Sequence, residues 1–281
     1  MLAIALGLVA SVSWGIADFI GGIKSRALPL LTVIGVSQAA GLVVIAAVVA
    51  ARGQGPPSGQ YAVYAALSAV GGLGGLIAFY RGLSIGAMSV VAPVASLSAA
   101  IPVIFGLATG ERPSVFQGAG MAIAIAGVAL AAREEGAEGA EPGVRVASGF
   151  GLALVAALGF GSFFVGMDKA AQGDALWPIL INRITGVALL ALLIAAVRPR
   201  LALSRADFGA LFAVGVLDMG ANALFAAATR QGLVSLVAVL ASLYPVVVIA
   251  LAHLVLKERT NPLQLAGAGL ALGGVALIVA G

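Results

Sequence analysis

The chain of 281 residues has no cysteine, a single histidine and few charges, since only 9% of its residues are Asp, Glu, Lys or Arg. The absence of cysteine excludes a small scaffold held together by disulfides. A soluble domain has about a quarter of its residues charged, so this chain has too few charges to cover a water-exposed surface. Hydrophobic residues make up 62% of it instead. This composition excludes an ordinary soluble enzyme and predicts an all-α membrane protein that crosses the bilayer several times.

Catalytic patterns are also lacking. The sequence shows no pairing of a nucleophile with a base, no cluster of metal ligands and no phosphate-binding glycine loop, and its one histidine, His253, lies in an apolar run. We therefore predict that the protein is not an enzyme and needs no cofactor or metal. The net charge of +4 is explained by basic residues in loops, so we expect no nucleic-acid partner.

Apolar runs long enough to cross a membrane divide the chain. A bilayer core of about 30 Å requires roughly 20 apolar residues in a helix, and the alternating pattern of membrane β-strands is absent. Charged residues, glycine and proline separate the runs. The ten predicted helical segments, numbered in chain order, are 2–22, 30–51, 61–80, 84–108, 115–132, 148–167, 176–197, 207–228, 232–256 and 262–280.

The two halves of the chain repeat each other. Residues 111–130 and 258–277 are identical at ten of twenty aligned positions without a gap, and a glutamate-rich linker at 133–147 separates the halves. We infer two five-helix units, 1–132 and 148–281. Because an odd number of crossings leaves the chain on the other side of the membrane, the second unit is inverted, which is an architecture of secondary transporters. The alternative is a duplication that only enlarged a scaffold.

Short motifs in both halves carry a family resemblance. They are Trp14-Gly15 with Lys24 in segment one, Tyr80-Arg81-Gly82-Leu83 leading through Ser89 to Pro102 and Glu111, and Arg230-Gln231-Gly232-Leu233-Val234-Ser235 leading through Pro245 to Glu258. On these motifs the sequence resembles the drug/metabolite transporter (DMT) superfamily, specifically its ten-helix EamA-type transporters. The resemblance covers essentially the whole chain.

The resemblance implies a fold and a function. Members move amino acids, drugs, nucleotide sugars and other small metabolites, and they need no bound cofactor. A central cavity is implied, lined by segments one to four and six to nine, with segments five and ten at the periphery. Small multidrug relatives hold a carboxylate eight residues before the lysine that ends their first helix. Ile16 occupies that position here, and Asp18 lies six residues before Lys24.

Three charged residues lie well inside predicted segments: Asp18, Arg183 and Asp218. A charge in hydrocarbon costs about 3 kcal/mol on insertion scales, so such a residue faces a cavity or a partner. In a functional interpretation, Asp18 or Asp218 binds the coupling proton or cation, and Arg183 binds a substrate anion or acts as a counter-ion. The alternative is an Asp–Arg pair, or a hydrogen-bonded Asp, that only holds helices together.

Polar and aromatic side chains are predicted to line the cavity. Gln38 aligns with Arg183 in the repeat, and Trp14 aligns with Phe160, so these positions are polar or aromatic in both halves. Prolines in segments four and nine predict kinked helices beside the site. The predicted substrate-binding residues are Trp14, Gln38, Tyr80, Ser96, Arg183, Asn222, Ser242 and Tyr244, and the predicted kinks are at Pro93, Pro102 and Pro245.

Glycines and glutamates at particular positions complete the sequence pattern. Glycines four residues apart predict close packing of helices. The glutamates that follow segments four and nine lie next to arginine and are interpreted as caps or ion pairs at the membrane interface. The glycine pairs are Gly71/Gly75, Gly82/Gly86 and Gly269/Gly273, and the glutamates are Glu111 and Glu258.

The leading hypothesis is a secondary transporter that moves a small metabolite, amino acid or drug-like solute by alternating access. An exporter is favoured, and proton coupling is one version of the hypothesis. A non-transporting membrane scaffold or receptor is the alternative. We expect a multi-pass protein of the cell (inner) membrane that acts as a monomer, with a homodimer as the other option. The distribution of basic residues places the termini outside, whereas the resemblance implies that both termini are cytoplasmic.

Overall fold

The computed structural model describes residues 1–85, 88–131, 144–198, 203–256 and 262–281, and regular structure in these ranges is helical throughout. The helices are α1 Leu2–Ala27, α2 Leu30–Arg52, α3 Gly59–Ile85, α4 Met88–Ser96, α5 Ala100–Ala108, α6 Val115–Ala131, α7 Val144–Ala171, α8 Trp177–Val197, α9 Arg205–Thr229, α10 Val234–Ala241, α11 Tyr244–Leu256 and α12 Pro262–Ala280.

These helices supply the ten predicted crossings. Seven stretches are long and apolar enough to span a membrane, and three shorter apolar helices, Val94–Ala108, Val115–Leu130 and Leu265–Ala280, take the remaining positions. Large apolar side chains also cover the outside of the bundle, where Leu67 and Ile104 are mostly exposed, as expected of a surface in contact with lipid. The protein is therefore a multi-pass membrane protein.

The sixth crossing differs from the prediction at both ends. Helix α7 begins at Val144 rather than at residue 148 and continues to Ala171 rather than to 167. The rest of the predicted linker at 133–147 lies outside the described residues. The apolar run predicts only the part of a helix that lies in hydrocarbon, whereas α7 is longer than that part.

Local polar bonds set where some helices start. At α6, the hydroxyl of Ser114 accepts from the backbone N–H of Gln117 at 3.1 Å, and the Gln117 side chain accepts from the N–H of Ser114 at 3.0 Å. This reciprocal pair is a capping box. At α9, the hydroxyl of Ser204 accepts from the N–H of Asp207 at 3.1 Å. Each cap satisfies a backbone donor that the first turn of a helix leaves free.

The fourth and ninth crossings are interrupted near their middle. A 3-10 turn at Leu97–Ala99 separates α4 from α5, and residues 242–243 separate α10 from α11. Pro102 and Pro245 follow these breaks, and neither has an N–H to bond to the preceding turn. Helix α4, in contrast, runs through Pro93 without a break. The two breaks occupy similar positions of the repeat, since Ser96-Leu97 aligns with Ser242-Leu243.

The crossing of α6 and α12 reveals the symmetry of the fold. A Cβ added to Gly127 would lie 2.7 Å from the carbonyl oxygen of Gly267, and one added to Gly274 would lie 2.6 Å from that of Gly120. Gly120 and Gly267 are equivalent in the repeat, as are Gly127 and Gly274. Each contact is therefore the image of the other, as expected for two inverted repeats related by a pseudo-twofold axis between α6 and α12.

The predicted glycine pairs differ in whether they pack against another helix. Gly71 and Gly75 of α3 do pack closely, because a Cβ added to Gly159 of α7 would lie 2.6 Å from the Gly71 carbonyl oxygen and 2.7 Å from the Gly75 Cα. Gly269 and Gly273 face open space, with nothing within 4 Å of an added Cβ, so that pair does not mediate the packing of α12. Spacing alone does not tell which helical face meets a neighbour.

Ion pairs join the two repeats on both faces of the membrane. The face that carries both chain ends is termed the terminal face here. On it, the Arg52 Nη2 atom after α2 lies 3.0 Å from Asp174 Oδ2 before α8. On the opposite face, the Lys24 Nζ atom of α1 lies 2.7 Å from Asp207 Oδ1 of α9. The central helices are thus tied at their ends, and a cavity remains between them.

Candidate transport site

A cavity lies in the interior of the bundle, between the two repeats. Its volume is ≈ 80 Å³, which is room for several water molecules. The described lining comes from α1, α2, α3, α7, α8, α9 and α11, and its residues are Trp14, Asp18, Gln38, Ala69, Gly72, Leu73, Leu76, Phe160, Phe163, Phe164, Asn182, Arg183, Gly186, Asp218, Asn222 and Tyr244.

Arg183 is the centre of a polar network in this cavity. Its side chain is only 4% exposed, and its guanidinium donates to the Gln38 side chain and to Asp218. The second oxygen of Asp218 accepts from the indole N–H of Trp14 at 3.0 Å. Asn222 donates to the backbone oxygen of Asp218 at 2.6 Å. The guanidinium charge is therefore compensated inside the bundle, which a buried charge requires.

The contact between Gln38 and Arg183 also locates the symmetry axis. The two residues are equivalent in the repeat, and equivalent atoms can touch only next to the axis that relates them. Helices α2 and α8 accordingly pack against each other. The pseudo-twofold axis therefore passes through the cavity as well as between α6 and α12, and both repeats contribute to the cavity walls.

A close approach of α2 and α9 leaves no room beside the guanidinium. A Cβ added to Gly41 would lie 3.1 Å from the Gly215 carbonyl oxygen and 3.5 Å from the Nε atom of Arg183. That Nε atom is buried and has no hydrogen-bond partner among the described residues. It faces the α2 backbone at this crossing, so a solute in the cavity cannot reach it.

Asp18 is in a different position from Asp218, although both line the cavity. It lies one turn beyond Trp14 on α1, and the hydroxyl of Tyr80 lies close to it. Gly21 makes this possible, because the Tyr80 ring occupies the space that a side chain there would fill. No described Lys or Arg forms an ion pair with Asp18. It is therefore the carboxylate of the cavity that the protein leaves uncompensated.

Aromatic rings form one wall. The Trp14 ring centroid lies 5.7 Å from that of Phe164 and 6.0 Å from that of Phe225, and Phe164 lies 4.8 Å from Phe225. Phe160 and Phe163, from the same face of α7, also line the cavity. The repeat alignment points to Phe160 alone. Phe163 and Phe164 belong to the same apolar run, and no feature of that run distinguishes a cavity wall from a core.

The structure brings most of the predicted site residues together but not all. Trp14, Gln38, Arg183, Asn222 and Tyr244 line the cavity with both predicted coupling carboxylates. The others lie behind its wall or at the helix breaks. Tyr80 lies behind Asp18. Ser96 precedes the 3-10 turn between α4 and α5. Ser242 follows α10, where its hydroxyl donates to the Val239 backbone oxygen at 2.9 Å.

Two further polar residues are not predicted from the sequence. Asn182 lines the cavity and donates to the Ser68 hydroxyl at 2.9 Å. Asp168 is buried near the end of α7, and its carboxylate accepts a hydrogen bond from the Gln172 side-chain amide at 3.4 Å. Asn182 could have been predicted from the sequence, because it is adjacent to the charged residue Arg183. Asp168 lies one residue beyond the predicted end of segment six, so the sequence places it in a loop.

Glu111 is a cap, one of the roles predicted for it, but it caps a helix of the other repeat. Its two carboxylate oxygens accept from the backbone N–H groups of Val234 at 2.6 Å and of Ser235 at 3.1 Å, at the start of α10. A carboxylate there satisfies free donors and interacts favourably with the helix dipole. Its repeat equivalent, Glu258, lies outside the described residues.

An inverted pair of five-helix repeats around a polar cavity on the symmetry axis defines the class: a membrane transporter of the drug/metabolite type. A model of the EamA-like transporter family matches residues 1–133 and 147–280. The chain therefore belongs to the EamA-like transporter family, whose members are transporters.

Comparison with solved structures agrees with this fold. Twenty-nine chains match. One of them, a crystal structure, has a TM-score of 0.79 and 20% sequence identity, and the match covers 99% of this chain and 98% of that chain. At this identity the likeness concerns the fold alone. The search of curated proteins found no match.

Proposed function

We propose that the protein is a secondary transporter of the cell (inner) membrane that exports a small organic solute by alternating access, coupled to protons. The observation that carries the proposal is the cavity on the pseudo-twofold axis, which contains two carboxylates and one guanidinium in an otherwise apolar bundle. Keeping charges inside a bilayer is costly. A site between inverted repeats can open to either side with equivalent packing.

Asp18 is the residue we assign to proton coupling. Asp218 is engaged by Arg183 and Trp14, so releasing it would leave a buried guanidinium unpaired. Asp18 has no such cation among the described residues and faces the cavity. It can therefore take up or release a proton without breaking an ion pair. An inward proton gradient would then drive export.

The absence of cysteine makes alternating access directly testable. Ala69→Cys places one thiol on the cavity wall, and Ala65→Cys, one turn away on α3, places one in the buried packing outside it. In proteoliposomes, membrane-impermeant thiol reagents should label Ala69→Cys from each side in turn and should leave Ala65→Cys unlabelled. Labelling of Ala69→Cys from one side under every condition would support the scaffold or receptor alternative.

Proton coupling is tested separately from access. Asp18→Asn should abolish pH-driven solute flux or the pH dependence of Ala69→Cys labelling. Asp207→Asn removes a carboxylate outside the cavity and should keep the pH dependence of both, although the level of labelling changes. An Asp18→Asn protein that retains the wild-type pH dependence would refute the role of Asp18 and leave transport itself standing.

A further inference from the structure

We propose that the cavity selects an organic cation: an ammonium group attached to a compact apolar body, with Asp18 as its counter-ion. The inference rests on the proposed transport function and names the class of solute. It follows from the hydrogen-bond donors and acceptors that the protein has already used and from those that it leaves free.

The charges of the described lining favour a positive solute. Asp18, Arg183 and Asp218 are its three charged residues. Arg183 and Asp218 neutralise each other in a direct ion pair, so Asp18, when ionised, is the charged side chain without a cationic partner among the described residues. In a bilayer interior an unpaired charge is unfavourable, and a bound ammonium would neutralise it. A second carboxylate brought by an anionic solute would increase the repulsion.

The guanidinium of Arg183 is already engaged by the protein. Its two terminal nitrogens donate to Gln38 and Asp218, and its Nε atom is buried against the α2 backbone at Gly41. A solute carboxylate would therefore share the guanidinium with Asp218, whose negative charge already balances it. This argues against free amino acids, which carry a carboxylate beside their ammonium.

The neutral groups of the cavity point the same way. Asn182 donates its amide to Ser68, and Asn222 donates its amide to Asp218. Both side chains therefore use an N–H group within the protein, which leaves the carbonyl oxygen as an acceptor. Trp14 likewise donates to Asp218. Gln38 differs, because its oxygen accepts from Arg183. The acceptors of Asn182 and Asn222 suit a solute that donates several hydrogen bonds, as an ammonium does.

The aromatic wall supplies the second requirement of such a solute. Trp14, one turn from Asp18, forms a cluster with Phe164, and Phe160 and Phe163 lie beside it. Aromatic faces attract a cation, and they also cover an apolar body. The wall therefore suits a solute that carries a compact apolar body beside its ammonium group.

Three probes of nearly equal size separate the possibilities: phenethylamine, 2-phenylethanol and phenylacetate. Calorimetric titration of the purified protein in detergent near neutral pH should show binding of the amine at least about tenfold tighter than that of the alcohol or the acid. Asp18→Asn should remove this preference, and Asp18→Glu should retain it. Asp207→Asn, which changes a carboxylate outside the cavity, is the matched control and should retain the preference for the amine over the alcohol and the acid.

Each outcome of these titrations either supports or overturns the proposed selection of an organic cation. Equal or tighter binding of the alcohol or the acid by the wild type overturns the inference, as does the absence of amine binding at about 1 mM, and neither result needs a variant that folds. An Asp18→Asn protein with unchanged amine preference also overturns it. Two-sided labelling of Ala69→Cys requires no particular solute. If the protein transports a solute of another class, the labelling is still two-sided. If the protein is not a transporter, the two-sided labelling is lost.

Discussion

Arg183 shows what a single charged residue requires inside a membrane bundle. Its side chain is almost fully buried, and it is held by one neutral and one charged partner. Of the two interpretations given by the sequence, a substrate clamp and a structural pair, the geometry supports the pair. Asp218 and Arg183 position the cavity walls, while Asp18 is left to interact with what enters the cavity. The same segments thus contain charges with different tasks.

A double substitution tests this division at the residue scale. Asp218→Ala leaves the buried guanidinium without its counter-ion and should destabilise the protein by about 3–5 kcal/mol, whereas replacing both partners, Arg183→Met with Asp218→Ala, should recover much of the loss. Thermal unfolding of the detergent-purified variants measures both. The single variant Arg183→Met completes the comparison. If the destabilisation of the double variant equals the sum of those of the two single variants, the ion pair itself contributes little to stability.

The residue level was partly predictable. Asp18, Arg183 and Asp218 stood out because charges are rare in these segments, and Gln38 stood out because it aligns with Arg183. Which carboxylate pairs with Arg183 was not predictable, because Arg183 and Asp218 lie on different helices and meet only in the folded bundle. Sequence spacing places residues on a helical face but does not select its partner.

At the scale of helices, α6 and α12 form a contact between equivalent helices of the two repeats. Their backbones approach through Gly120, Gly127, Gly267 and Gly274, all four of which are identities of the aligned repeat. Small residues at such a crossing allow van der Waals packing that larger side chains would prevent. The conspicuous four-residue pair Gly269/Gly273 was misleading, because it lies on another face of α12.

Two adjacent glycines of α12 test the crossing. A Cβ at Gly274 would lie 2.6 Å from the Ala124 backbone nitrogen, whereas a Cβ at Gly273 meets nothing within 4 Å. Gly274→Ala should therefore lower the unfolding temperature. Gly273→Ala should raise it slightly, since replacing glycine in a helix by alanine gains about 0.5–1 kcal/mol. Equal effects of the two variants in a thermal unfolding assay would contradict the close approach.

The start of α8 carries a carboxylate that lies outside the membrane-spanning helices. Partial burial raises the pKa of Asp174, but the N–H groups of Trp177 and Leu176 and the Arg52 guanidinium lower it by more, so its pKa is below the ordinary value. A lowered pKa in the folded state stabilises the protein above the unfolded pKa of about 3.9, and this stabilisation is lost as the pH falls through the folded pKa.

The expected pH effect follows from that sign. Wild-type protein should lose part of its thermal stability below about pH 4. Asp174→Asn should already be less stable at neutral pH and should lack that share of the acid transition, which unfolding scans between neutral and acid pH would measure. Identical acid profiles of the two proteins would exclude Asp174 as a contributor.

At the scale of the whole molecule, the two repeats are tied on both membrane faces. Arg52 and Asp174 join them on the terminal face, and Lys24 and Asp207 join them on the opposite face. Each pair links helices that line the cavity. Alternating access requires that one end of the cavity opens while the other stays closed, and these pairs are placed to bias that choice.

Removing one pair should therefore shift the conformational balance. Asp207→Asn should increase labelling of Ala69→Cys from the face opposite the termini, and Asp174→Asn should increase it from the terminal face. Exposed ion pairs contribute little, so shifts of roughly two- to fivefold are expected. The exchanged pair Lys24→Asp with Asp207→Lys should restore the wild-type labelling ratio. Variants that change labelling equally from both faces would show that the pairs stabilise the bundle without biasing it.

The sequence by itself determined the membrane class, the ten crossings, the inversion of the repeats and the shortlist of charged residues. These properties depend on composition, on local apolar runs and on identities between the halves. Only the tertiary structure decided that Arg183 pairs with Asp218, that Asp18 remains uncompensated and that α7 supplies the aromatic wall. The physical reason is that these contacts join different helices, within the second repeat for Arg183 and Asp218 and across the pseudo-twofold axis for Trp14 and Asp218. Near that axis each helix meets a partner from the other repeat, and the pattern of a single helix contains no information about that partner.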